Sequence, residues 1–134
     1  MKIKFRDIKF RAWHPLSKQM ISSDEIGQTF VNKNAIEWHQ ERKWQLMQYT
    51  GFKDKNGTEI YEGDIVKIDD NPEQFKGTEF YDIESVSHHQ IIWDSDRAMF
   101  TDIRLEDGDC LAAFLDGDIS FVTDGVVTGN IYDV

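Results

Sequence analysis

The 134-residue sequence contains only one cysteine, Cys110. A lone cysteine excludes a disulfide within the chain and a zinc site built from several cysteines. An unpaired thiol is typical of a protein that works in a reducing compartment. No stretch approaches the ~18 apolar residues of a membrane span, and the charged start MKIKFRDIKFRAW has no apolar run of the kind found in signal peptides. The sequence therefore predicts a soluble, cytoplasmic protein without a membrane partner.

Motifs that carry known chemistry are also missing. The sequence has no GxxxxGK[ST] or GxGxxG loop for phosphates and no GxSxG or HExxH motif. We therefore expect no cofactor and a protein that is not an enzyme. A catalytic site assembled from scattered residues stays open, because such a site leaves no local motif.

Candidate metal ligands do not combine into a site. His88 and His89 are adjacent, with Asp94 and Asp96 nearby. Neighbouring residues on a strand point to opposite faces, so the two imidazoles would not readily share an ion. The remaining histidines, His14 and His39, have unrelated spacing. We predict no metal site.

Two acidic turns and the thiol favour structural interpretations. The DGD sequences at 107–109 and 116–118 lack the twelve-residue ligand pattern of a calcium loop, so hairpin turns are expected. Cys110 follows Asp109, and a neighbouring carboxylate disfavours the thiolate. An inert thiol is therefore expected.

Charge is divided unevenly along the chain, whose net charge is −10. Residues 1–67 hold 12 Lys and Arg against 9 Asp and Glu, whereas residues 68–134 hold 3 against 16. The acidic half is typical of a solvated surface, although it also permits mimicry of DNA charge toward a DNA-binding protein.

Short segments of β-branched and aromatic residues alternate with turn signals along most of the chain. This pattern predicts a mainly β fold, with α+β as the alternative. A small antiparallel β-barrel-like C-terminal part (46–134) follows an irregular, β-rich N-terminal attachment (1–45), and the two form one compact unit. The expected strands are 2–6, 8–13, 19–21, 44–50, 58–61, 65–68, 80–86, 90–93, 98–105, 110–115, 119–122 and 126–132. For Leu111–Leu115 a helical turn is the alternative, residues 22–25 suggest a helix cap, and 28–43 remains ambiguous.

The most organised stretch is LMQYTGFKDKNGTEIYEGDIVKI, residues 46–68. Its pattern predicts strand, tight turn, strand, bend and strand. Gly51 ends the first strand, and Asn56-Gly57 forms a type I′ turn. Gly63 with Asp64 bends the chain, and Asp64 can accept a local backbone hydrogen bond at this bend. We interpret the stretch as a structural joint. Its signature residues are Tyr49, Gly51, Asn56, Gly57, Tyr61, Gly63 and Asp64.

This stretch, together with IKFRAW (8–13) and GNIYD (129–133), resembles the YopX family of phage and prophage proteins. The resemblance implies a phage-encoded accessory protein in the cytoplasm of a bacterial host, with a largely β C-terminal part and no established activity. It also implies partners among proteins, either a second copy or a host protein. Relative to the family pattern, the chain has an extra MKIKF and stops at Val134, where relatives tend to continue with a short proline-containing tail. If that tail mediates assembly in relatives, its absence puts self-association of this chain in doubt.

Nucleic-acid binding is the alternative function. Small β proteins bind single strands with aromatic rings beside basic side chains. The candidate contacts are Lys9, Arg11, Lys53 and Lys55, beside rings among Trp13, Trp38, Trp44, Tyr49, Phe52 and Tyr61. Such aromatic residues are more often core residues.

Overall fold

The computed structural model describes residues 8–22, 44–115 and 117–132. The chain divides into two compact units, with the boundary after Gly51. Three predicted features lie outside the described residues: the strand at 2–6, most of the helix cap at 22–25, and the ambiguous segment 28–43.

The first unit contains an antiparallel sheet built around β1 (Phe10–His14). This strand pairs on one side with β2 (Gln19–Ile21) and on the other with the start of β3 (Gln45–Lys53). Ala12, Ile21 and Trp44 form its small core, against which Leu46 packs. Ala12 at the centre of β1 is buried, and the other four residues of this strand are half-buried.

The second unit contains β4 to β8 and one short helix. These elements are β4 (Glu59–Tyr61), β5 (Asp64–Asp69), β6 (Val86–Asp94), β7 (Met99–Arg104), α1 (Leu111–Phe114) and β8 (Val126–Asn130). Four of the strands form an antiparallel sheet in the order β7–β6–β5–β8. The core of this unit consists of Ile60, Val66, Ile68, Ile91 and Val122. Burial alternates along β5 because successive side chains point to opposite faces.

The prediction of a mainly β fold is confirmed, and the antiparallel sheets are curled. No helix among the described residues is long and apolar enough to cross a membrane.

The predicted strand at 80–86 is wrong. Ile83–Ser85 form a 3₁₀ turn, in which Asp82 accepts the Glu84 N–H, and β6 begins only at Val86. Asn71 holds this loop in place: its amide donates to the Asp82 carbonyl at 2.8 Å and accepts the Asp82 N–H at 2.8 Å. These hydrogen bonds satisfy backbone groups that a strand would have paired with a neighbouring strand.

Two further predicted strands are helical. Residues 111–114 form α1, so the helical alternative is confirmed and the strand at 110–115 is wrong. Residues 119–122 were expected to be extended, but Ser120–Asp124 form a 3₁₀ helix that buries Val122. Short apolar runs do not distinguish strand from helix by periodicity, and tertiary contacts decide between them.

Two details of the 46–68 stretch also differ from expectation. Gly51 does not end its strand: β3 continues to Lys53, with Gly51 at a φ of 91°. The turn is not type I′, because only Gly57 has positive φ there. The Gly57 N–H donates to the Asp54 carbonyl at 3.0 Å and the Asp54 N–H donates to the Thr58 carbonyl at 2.8 Å. This pattern is that of a three-residue hairpin loop, a type I turn followed by a glycine bulge.

Candidate functional site

Asp54, which sequence reasoning did not single out, organises the signature stretch. Its Oδ1 accepts the N–H groups of Asn56 and Thr58, each at 2.9 Å, while Oδ2 accepts the Val127 N–H at 2.9 Å. Burial raises the pKa of Asp54, but these three backbone hydrogen bonds lower it, and the net result is a pKa below the ordinary value. Asp54 is therefore a carboxylate that joins the hairpin loop to β8.

The bend at Gly63 and Asp64 makes a second joint. The Gly63 N–H donates to the Ile91 carbonyl at 2.8 Å, and its carbonyl accepts the Ile131 N–H at 2.9 Å. Gly63 has a φ of 87°, where a side chain would be strained. Asp64 is buried and accepts the Tyr61 N–H at 2.8 Å, the local hydrogen bond that the sequence predicts.

The other signature residues divide between core and surface. Tyr49 and Tyr61 are buried in their own units, whereas Gly51, Asn56 and Gly57 are exposed. None of these positions lines the cavity beside the start of β6. The role of the stretch as a structural joint stays a prediction.

The four basic residues proposed for nucleic-acid contact belong to different units. In the first unit, Lys9 lies over the Tyr49 ring, with 5.5 Å between Nζ and the ring centroid, and half-buried Arg11 donates to Met47 Sδ at 3.7 Å. Lys53 and Lys55 are exposed in the second unit. Among the aromatic candidates, Trp44, Tyr49 and Tyr61 are buried, Phe52 packs against the core and Trp13 is half-buried. Trp38 lies outside the described residues.

The second unit contains a cavity of about 270 Å³ beside the start of β6. Ile68, Leu111 and Phe114 supply its apolar wall. Ser85, Ser87, His89 and Arg104 supply neutral and basic polar groups, and Asp70, Glu84 and Asp109 add carboxylates. Its size suits one small ligand or a single side chain.

One wall of the cavity contains a chain of two hydrogen bonds. Ser87 and His89 lie two residues apart on β6, and so share a face. Ser87 Oγ lies 2.8 Å from His89 Nε2, and His89 Nδ1 lies 2.7 Å from Asp102 Oδ2 on β7. His89 is 2 % exposed and Asp102 is 0 % exposed. The i, i+2 spacing of Ser87 and His89 was visible in the sequence, but nothing there pointed to Asp102.

Asp102 also joins α1 to the sheet. Its Oδ1 accepts the Ala112 N–H at 2.8 Å, and its Oδ2 accepts the Leu111 N–H at 3.2 Å. Burial raises the pKa of Asp102, but the hydrogen bonds from His89, Ala112 and Leu111 lower it below its usual range. Asp102 is thus a fully hydrogen-bonded buried carboxylate, which is what an ionised group needs in a buried position.

The neighbouring histidine has a separate partner. His88 Nδ1 lies 2.7 Å from Glu106 Oε1, and the His88 N–H also donates to this carboxylate. The two adjacent histidines therefore engage different carboxylates on opposite faces of β6. No group of three potential metal-ligating side chains occurs within residues 8–22, 44–115 and 117–132.

Cys110 is half-buried at the start of α1. Burial raises the pKa of its thiol, and the carboxylate of Asp102 raises it further. Both effects keep the thiol protonated, which supports the interpretation of an inert cysteine.

These features define a mainly β protein with a tightly hydrogen-bonded hairpin and, in its second unit, a small cavity lined by apolar and polar side chains. The sequence pattern of the YopX protein family matches residues 9–134, which is nearly the whole chain. The chain therefore belongs to the YopX family, as its resemblance suggests. No curated protein matches it.

One solved structure is similar along almost its entire length. The crystal structure of protein EF1440 from Enterococcus faecalis superimposes with a TM-score of 0.55 at 24% sequence identity. The match covers 96% of this chain and 95% of that one. At this identity the similarity supports the fold alone.

Proposed function

We propose that the chain is a phage- or prophage-encoded accessory protein that acts in the host cytoplasm by binding a host protein. Family membership supports the phage origin. The contact surface lies in the second unit, around the cavity. This proposal follows from the apolar side chains that the surface exposes and from its charge.

The carrying observation is that two segments of the cavity wall expose large apolar side chains to solvent. Ile83 is 78 % exposed next to Glu84, and Phe114, itself in the wall, is 76 % exposed. Leu115 follows it and is 48 % exposed. Single exposed apolar residues are common on protein surfaces, whereas several beside one concave site are typical of an interaction surface.

The negative charge of residues 68–134 indicates which class of partner fits this surface. Residues 68–134 carry 16 Asp and Glu against 3 Lys and Arg. Two copies that met through this surface would repel each other, since like charges across an interface cost free energy. A host protein with a basic surface around an apolar patch fits better than a second copy.

The test is capture from host lysate on the immobilised protein, with half the lysate treated with nuclease. We expect a defined protein to be retained equally from both halves. The double variant Ile83→Ser/Phe114→Ser should lose it. Leu16→Ser makes the same chemical change at a residue that is 90 % exposed in the first unit, and should retain it.

Each contrary outcome supports a different function. Retention that vanishes with nuclease supports the nucleic-acid alternative and directs mutagenesis to Lys9 and Arg11. If no protein is captured and the chain self-associates in light scattering, the partner is a second copy. A strictly monomeric protein that captures nothing contradicts binding altogether.

Mimicry of DNA charge is tested on the same column. If the partner recognises the carboxylates in place of DNA phosphates, changing Asp107, Asp109, Asp116 and Asp118 to Asn should abolish its capture. Unchanged capture would leave the apolar contacts as the source of affinity and exclude mimicry.

A further inference from the structure

Two side chains of the cavity wall and a buried carboxylate behind them follow the order of a nucleophile, a general base and an orienting acid. These are Ser87, His89 and Asp102, joined by hydrogen bonds of 2.8 and 2.7 Å. In serine hydrolases of several unrelated folds, the hydroxyl contacts one imidazole nitrogen and the carboxylate contacts the other. The atoms are arranged in the same way here, with Nε2 facing Ser87 and Nδ1 facing Asp102.

The hydrogen bonds around Asp102 determine the tautomer of His89. The Asp102 carboxylate already accepts two backbone N–H groups, and it accepts a third hydrogen bond from His89. A carboxylate only accepts, so the proton of neutral His89 resides on Nδ1. Nε2 then has its lone pair directed at the Ser87 hydroxyl, and this nitrogen can take the proton when Ser87 reacts.

Arg104 adds a positive charge to the wall of the same cavity. Its guanidinium forms ion pairs outside the serine–histidine chain: Nε lies 3.8 Å from Glu106 Oε2, and Nη1 lies 3.4 Å from Asp107 Oδ2. A cationic group near a reacting carbonyl favours the negative charge that its oxygen gains during reaction.

We propose that Ser87 is an activated nucleophile and that the cavity accepts a small carboxylic ester. The acyl group is uncharged or cationic, because Asp70, Glu84 and Asp109 line the cavity with carboxylates and Ile68 and Phe114 form part of its apolar wall. This activity goes beyond the proposed binding function and does not depend on it. It would also overturn the sequence-based expectation that the protein is not an enzyme.

The reaction balances without a cofactor. Ser87 Oγ attacks the ester carbonyl while its proton passes to His89 Nε2. The tetrahedral intermediate collapses, the bond to the alcohol oxygen breaks, and His89 returns the proton to the departing alcohol. Water then attacks the acyl-serine with the same proton transfers, which releases the carboxylic acid and restores Ser87.

The first test is labelling by a fluorophosphonate probe, located by mass spectrometry, together with hydrolysis of p-nitrophenyl acetate. We expect the label on Ser87. Ser87→Ala should lose the label and at least about 100-fold in hydrolysis rate, the usual contribution of a positioned base to its nucleophile. Ser95→Ala removes an exposed hydroxyl from the turn between β6 and β7, outside the cavity, and should retain both. A folded wild-type protein that takes no label, or equal labelling of Ser87→Ala, would overturn the proposal.

A second variant keeps the test decisive if Ser87→Ala misfolds. Ser87→Cys places a thiol beside His89 Nε2, and Cys110 serves as an internal reference because its thiol pKa is raised. We expect iodoacetamide to alkylate position 87 at least about tenfold faster than position 110 at neutral pH, because an adjacent imidazole favours the thiolate. Equal rates would contradict activation by His89.

Lysate capture by Ser87→Ala distinguishes this activity from the proposed binding function, since the variant should retain the captured host protein.

Discussion

At the scale of single residues, a few buried carboxylates connect segments that are far apart in the sequence. Asp54 joins its own hairpin loop to Val127, and Asp102 joins β7 to His89 and to the start of α1. A carboxylate suits this role because its two oxygens accept several N–H groups at once. Losing it leaves those donors without partners.

We expect Asp54→Ala to lower the free energy of unfolding by about 2–3 kcal/mol, because three backbone donors lose a charged acceptor. Urea denaturation at neutral pH measures the change. Asp96→Ala removes an exposed carboxylate and should change stability by less than about 0.5 kcal/mol. Equal effects of the two variants would show that the hydrogen bonds of Asp54 contribute nothing specific.

At the scale of elements, the second unit depends on close backbone contacts as much as on its sheet. The 3₁₀ helix Ser120–Asp124 ends at Gly125, which is buried where β8 begins. A Cβ at Gly125 would lie 2.5 Å from Val66 Cγ1 and 2.9 Å from the Lys67 carbonyl oxygen. Glycine is therefore required here for space, because its φ of −103° is accessible to any residue.

We expect Gly125→Ala to destabilise the protein by about 1–3 kcal/mol through overpacking against β5. Gly57→Ala is the matched control, because nothing lies within 4 Å of its Cβ position and only its positive φ is strained. That variant should cost about 1 kcal/mol. Thermal unfolding of both variants checks the order, and a larger loss for Gly57→Ala would refute the close-contact explanation.

At the scale of the whole molecule, a chain with a net charge of −10 keeps several acids ionised through specific partners. A hydrogen bond from Asn71, followed by others from the Asn71 N–H and Tyr81, lowers the pKa of Asp69 to about 2, although partial desolvation opposes them. Desolvation raises the pKa of Glu106, but hydrogen bonds with His88 lower it to about 2. Both groups therefore favour the folded state in their ionised form.

The sign of the pH dependence follows from these directions. Each pKa is lower in the folded chain than its ordinary value of 3.8 for Asp69 or 4.5 for Glu106. The stability that each group contributes is complete above its ordinary pKa and is lost as pH falls toward about 2. We expect the unfolding temperature to fall over this window, with a shallower fall in Asp69→Asn and Glu106→Gln. An equally steep fall in both variants would assign the acid sensitivity to other carboxylates.

The sequence by itself determined the mainly β class, most strands and the family. Alternating side chains, turn residues and the 46–68 stretch are local signals. They indicate strands and turns whatever the strand packs against. The sequence also predicted the local hydrogen bond of Asp64. The expectation that the aromatic residues are mostly core residues agrees with the burial of Trp44, Tyr49 and Tyr61.

Only the tertiary structure decided the rest, because those features depend on distant partners. Residues 80–86 are a loop because Asn71 pairs with Asp82, and the hairpin takes a type I turn with a bulge in which Asp54 holds the Asn56 and Thr58 N–H groups. The candidate site has the same origin. Ser87 and His89 are close in sequence, but Asp102 comes from the next strand and Arg104 faces the same cavity. A pattern of period two specifies which face a residue occupies, and the pairing of β6 with β7 specifies what it meets there.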